Sequence, residues 1–170
     1  MTAELELLTG TAGNTVIQSR WLGEIESDPR SELCFPGGIP GFENDRRILP
    51  VEIPSQRPLV YLQSLIHPDV CFAALPVYVI DPSFRLRLSE EERALLQLPE
   101  GCDPVVGTDV LCLALLMSSG DAVRVNLNAP VVINLHNARG VQSIATDGAP
   151  GYFRPGHFRL DPTGQWESAC

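Results

Sequence analysis

Three His, five Cys and 21 carboxylates are the residues from which a reaction centre would be built in this chain of 170. A metal needs ligands at short, matched spacings, because neighbouring side chains must reach one ion. His67, His136 and His157 show none: His67 precedes the turn signal Pro68-Asp69, His136 follows a strand end, and His157 sits in a Pro-Gly loop. Cys34, Cys71, Cys102, Cys112 and Cys170 form an odd set without a C-x-x-C pair, so zinc and thioredoxin-type spacings are missing. Cys71 and Cys112 lie in apolar runs, where burial raises a thiol's pKa and lowers its reactivity. A Ser nucleophile on a strained elbow reads G-x-S-x-G, whereas Ser118-Ser119-Gly120-Asp121 reads as a hairpin loop. Gly37, Gly38 and Gly41 are not followed by the Gly-Lys-Ser/Thr of a phosphate loop. The residue types therefore predict no catalytic group, no metal and no cofactor. The alternatives are an enzyme working from a barrel pocket, with His67 and Asp69 as its acid–base pair, and a small-ligand-binding barrel.

Charge narrows the partners. The formal net charge is -9, and all 12 cations are Arg. Phosphate backbones and anionic membranes attract the opposite sign, so no direct nucleic-acid contact and no membrane contact are expected. A basic protein partner fits. The field is uneven: residues 1–52 carry nine acids against four Arg, and residues 81–121 carry eight against three. The first 15 residues are acidic and lack a basic start leading into an apolar run, so no secretory leader is expected. Val110 to Met117, the longest apolar stretch, is too short to span a bilayer. With unpaired thiols, this predicts a cytoplasmic, reduced protein.

The elements that must position these residues read as short strands. Gly (14) and Pro (15) are spread along the chain, as many turns between short elements require. Strands are expected at Val16–Trp21, Glu24–Glu26, Leu33–Phe35, Arg47–Val51, Pro58–Leu65, Val70–Leu75, Val77–Ile80 and Phe84–Leu88, with Gly23 marking a bulge or a close backbone approach. Further strands are expected at Val105–Val106, Asp109–Met117, Ala122–Leu127, Pro130–Leu135 and Gly140–Ala145. One helix follows Ser89, where Ser89 and Glu92 form a capping box and Pro99 and Gly101 supply a stop. The expected fold is all-β and mainly antiparallel: a small closed or partly open β-barrel with one short helix. Residues 1–14 read as a flexible extension, 15–162 as one barrel-like domain, and 163–170 as a tail.

Three blocks, in order, resemble the flagellar assembly factor FliW family: Gly23-Glu24-Ile25-Glu26 through Phe35-Pro36-Gly37-Gly38-Ile39-Pro40-Gly41-Phe42-Glu43; Leu62-Gln63-Ser64 with Phe72, Pro76 and Asp81-Pro82-Ser83-Phe84; and Asn126-Leu127-Asn128-Ala129-Pro130-Val131-Val132-Ile133-Asn134 followed by Gln142. The match covers about residues 16–160. It departs where Arg85, not an acid, follows Phe84, and where Asp81-Pro82 inverts the usual Pro-Asp order. The resemblance implies a small β-barrel-like fold, cytoplasmic binding of flagellin, and binding of the RNA-binding translational repressor CsrA. Flagellin leaving by secretion would free the factor to sequester CsrA, so that flagellin translation resumes.

Candidate contact residues follow from these blocks. Glu24 and Glu26 (with Asp28) fall at even spacing, which puts them on one face of a regular strand. Phe35, Ile39, Phe42 and Glu43 ride a loop that Pro and Gly bar from being helical; its apolar members either plug the core or face a partner. Asn126 and Asn128 beside Pro130 read as a turn whose amides bond nearby backbone. Gln63, Asn134 and Gln142 sit in apolar strand contexts and need a hydrogen-bond partner if buried.

Overall fold

A computed structural model describes residues 13–119, 122–144, 157–160 and 166–169. Alternating polarity and closely spaced turns give eleven strands among the described residues: β1 (Thr15–Ser19), β2 (Gly23–Ser27), β3 (Leu33–Cys34), β4 (Arg47–Val51), β5 (Val60–Ser64), β6 (Cys71–Pro76), β7 (Val110–Ser119), β8 (Ala122–Asn134), β9 (Arg139–Gln142), β10 (His157–Leu160) and β11 (Trp166–Ala169). Strands β3 to β9 form a closed barrel in sequence order. Every seam is antiparallel except the last, where β3 meets β9 in parallel at Cys34 and Arg139. Closure leaves no barrel edge to template aggregation. β1–β2 and β10–β11 are separate antiparallel pairs. Of the expected N-terminal extension, residues 1–12 lie outside the described residues, as do 163–165 and Cys170 of the expected tail.

The apolar residues sort into two layers. Inside the barrel pack Phe35, Ile39, Ile48, Leu62, Ala74, Leu113, Val131 and Ile133. Outside, Cys112 and Ala114 of β7, Val132 of β8 and Val141 of β9 pack under the excursion between β6 and β7. Sheet β7–β9 is thus covered on both faces, which is why its strands read as near-continuous apolar runs. Phe35 is fully buried, and a Cβ on Gly140 would lie 2.4 Å from its ring. Only Gly lets β9 approach that closely at the closing seam.

The β6–β7 excursion differs from its expected three strands. Val77–Ile80 is one helical turn, α1. Four successive apolar residues carry no period, and Pro76 ends the ladder by lacking an N–H. Val77 and Ile80 turn inward while Tyr78 and Val79 face solvent, the i, i+3 spacing of a helix. Phe84–Leu88 is extended but pairs with no strand; Phe84, Leu86 and Leu88 pack on the outer layer while Arg85 and Arg87 are exposed. The alternation was a burial pattern without a ladder. Val105–Val106 contributes only a bridge from Val106 to Val110.

Helix α2 (Glu90–Leu96) has the expected capping box, with both Ser89–Glu92 bonds formed. It ends earlier than its Pro and Gly signals, at Gln97, whose φ is 54°. A further correction concerns β8: Ala122–Leu127 and Pro130–Leu135 are one strand with an irregularity, because Leu113 faces Val131 while Leu115 faces Asn126. Residues that suit a turn also suit a bulge, and Pro in a sheet is confined to such places.

Candidate protein-contact surface

The antiparallel order puts the β3–β4 loop and the β5–β6 turn at one end of the barrel. Buried polar side chains lock these connections together. Gln63 of β5 is fully buried; its Oε1 accepts from Ser19 Oγ at 2.5 Å, and its Nε2 donates to Ser64 O at 2.9 Å and Val70 O at 3.1 Å. Ser19 Oγ in turn accepts from the amides of Trp21 and Leu22. The β1–β2 turn is clamped a second time, by Arg20 N to Pro68 O at 2.9 Å and Trp21 Nε1 to Asp69 O at 2.8 Å. Gln63 thereby spends its amide on the β5–β6 turn and on the hairpin that docks there, and no buried amide atom is left unpaired.

Asp45 performs the same service for the loop at residues 36–46. Its buried carboxylate accepts from Ser64 Oγ and pairs with His67 Nδ1 at 2.8 Å. Ser64 Oγ also accepts from the amides of Ile66 and His67. In a Ser-His-Asp triad the hydroxyl is bonded to the imidazole, which takes its proton. Here the hydroxyl donates to Asp45, and His67 bonds the same carboxylate oxygen, so the trio braces two loops. His67 is paired with Asp45, and Asp69 offers its backbone oxygen to Trp21, so the Asp69–His67 pair expected of an enzyme is not assembled. Burial pushes the thiols of Cys71 and Cys112 up to about 11 and about 12, as their apolar surroundings require. No group of three or more His, Cys, Asp and Glu converges as a metal site among the described residues.

The candidate residues divide by burial. Phe35 and Ile39 are core, leaving Phe42 and Glu43 as the exposed members of their loop. Phe42 packs edge-on against Phe72 with ring centroids 5.0 Å apart. Glu43 folds back to accept from Gly41 N at 2.8 Å, and that amide holds its carboxyl below the ordinary range. Asn126 Oδ1 accepts from Asn128 N at 3.0 Å inside the β8 irregularity, and Gln142 Nε2 donates to Ala129 O at 3.0 Å across it. Buried Asn134 donates to Leu96 O at 2.9 Å, closing the end of α2 with Asn137 and Arg139. Phe35, Ile39, Gln63 and Asn134 thus shape the frame from inside.

Glu24 and Glu26 do lie on one exposed face of β2, opposite Gln18 and Val16 of β1. Asp28 leaves that face to cap a 3₁₀ turn, Pro29–Ser31, and to pair with Arg30. The residue that sequence reasoning missed is Trp21. The pattern places it at the end of a strand, but β1 stops at Ser19, and Trp21 stands in the turn 64% exposed, with the Arg20 guanidinium 5.5 Å over its ring. The signal was Gly23: its φ of +75° with open space around it is what a reversal needs, not a close approach.

A closed, mainly antiparallel barrel with loops braced by buried polar side chains, presenting an aromatic and carboxylates to solvent, has the build of a protein-contact module. The FliW protein family matches residues 15–152, and the chain belongs to that family. It is 31% identical over 133 residues to the flagellar assembly factor FliW of Caldicellulosiruptor bescii, covering 78% of this chain and 84% of that protein. It is 27% identical over 128 residues to the FliW of Clostridium botulinum, covering 75% and 87%. A crystal structure of the flagellar assembly factor FliW superposes with a TM-score of 0.67 at 27% identity, covering 78% of this chain and 90% of that one.

Proposed function

We propose that this chain is a cytoplasmic flagellar assembly factor that binds flagellin and the translational repressor CsrA, antagonises CsrA, and so couples flagellin translation to flagellin secretion. The observation that carries the reading is family membership over residues 15–152. The physical chemistry agrees with it. A repressor that grips RNA must neutralise phosphates and so shows positive surface. A chain of net charge -9 attracts that surface and repels RNA from it. The barrel frame is braced, so contact residues are held in place before a partner arrives.

Purified repressor titrated with this chain, in the presence and absence of purified flagellin, tests the reading. Binding that flagellin relieves is expected; a repressor left unbound at saturating chain contradicts it. Within that assay, Glu24→Lys with Glu26→Lys reverses two exposed charges on one face of the β1–β2 hairpin. Affinity for the repressor should fall about tenfold at low salt and converge on wild type as salt screens the field. Stability should stay within about 0.5 kcal/mol, as for other exposed positions.

A further inference from the structure

We infer that the turn carrying Trp21 is the anchor by which the chain holds the RNA-gripping repressor, an inference that rests on the binding reading above. Large exposed aromatics are common on protein surfaces; a fixed one is not. Trp21 is 64% exposed, yet its indole N–H is bonded to Asp69 O and its ring lies under the Arg20 guanidinium. The turn beneath it is bound to Pro68 and, through Ser19, to the buried amide of Gln63. The same N–H bond that clamps the hairpin to the β5–β6 turn holds the exposed ring in one place. An aromatic presented at low entropic cost is what a binding hot spot requires, and Trp leads the residue types found there.

Charge says what the partner offers. The two clamped elements, residues 15–27 and 64–70, hold one cation, Arg20, against Glu24, Glu26 and Asp69. All three acids are exposed, and the Arg20 guanidinium keeps its charge over the indole. The two elements therefore carry three acids to one cation, with the apolar ring and the Arg20 guanidinium together at the turn. Their complement is an apolar notch rimmed by Arg or Lys, and a protein that grips RNA supplies the rim. A neutral or acidic partner surface would not match it.

The test is the affinity of purified repressor for wild type, Trp21→Ala, Trp21→Phe and Tyr78→Ala. Tyr78 is a comparable exposed aromatic, 56% accessible, on α1 after β6, so it marks the opposite end of the barrel from the β5–β6 turn. Circular dichroism and thermal melting confirm that each variant is folded. W21A should weaken binding about 30-fold, the scale of a hot-spot truncation. W21F, which keeps a ring and loses the N–H anchor, should fall between W21A and wild type, and Y78A should bind as wild type does. W21A and W21F binding like wild type overturns the inference while leaving the binding reading intact. So does a W21A that loses flagellin but keeps the repressor, or a Y78A that loses as much as W21A. Wild type that fails to bind the repressor overturns both.

Discussion

Single residues in this chain are set by what the backbone must do at their positions. Gly140 is Gly because β9 runs against the Phe35 ring, where a Cβ would sit 2.4 Å from the nearest ring carbon. Gly140→Ala should therefore cost about 1–3 kcal/mol by overpacking, read as a lower urea midpoint with an unchanged slope. An unchanged midpoint would mean that the seam has room the geometry denies. Gly38 is under two constraints at once, a φ of +69° and the Glu43 backbone 2.5 Å from a notional Cβ. The Pro/Gly composition showed that the loop was shaped; it did not show which way Phe35 and Ile39 pointed, because apolar residues on a loop suit a core and a partner equally. Gln63 was legible as a polar residue in need of a partner. That its partner is Ser19, 44 residues away, depends on tertiary docking that local sequence does not encode.

Among the elements, those with a repeating pattern or a cap were readable, and those defined by long-range pairing were not. The capping box of α2 and the full extent of β4 (Arg47–Val51) follow from local chemistry. The helical turn at Val77–Ile80 and the unpaired arm at Phe84–Leu88 do not, since a short apolar run or a clean alternation says which face is buried but not what covers it. Asn134 shows how one element borrows from another: from β8 it donates to Leu96 O and accepts from His136 N, joining the end of α2 to the β8–β9 turn. Asn134→Leu should cost about 1–3 kcal/mol, because it leaves the His136 N–H without its acceptor and takes a donor from Leu96 O, and should leave repressor affinity unchanged. Thermal melts and the same binding titration check both halves. A stable variant that no longer binds would show that Asn134 reaches the partner, which its burial argues against.

The whole molecule combines a closed frame with a net charge of -9 concentrated before residue 53 and between residues 81 and 121. The fold class and the family were legible because the G-I-P-G-F-E and N-L-N-A-P strings occur in order and at wide separation. The end of the barrel proposed to carry contact was not, because it is assembled from β1–β2, the β5–β6 turn and the loop at 36–46, which meet only after closure. Under the proposed function, this end occupies a basic protein partner. Amide hydrogen exchange of the chain, alone and saturated with purified repressor, reads that most directly, since bound segments lose exchange that free turns show. Slowed exchange is expected in residues 18–27 and 64–70. Slowed exchange confined to residues 77–106, with the Trp21 turn exchanging as fast as in the free chain, would contradict it.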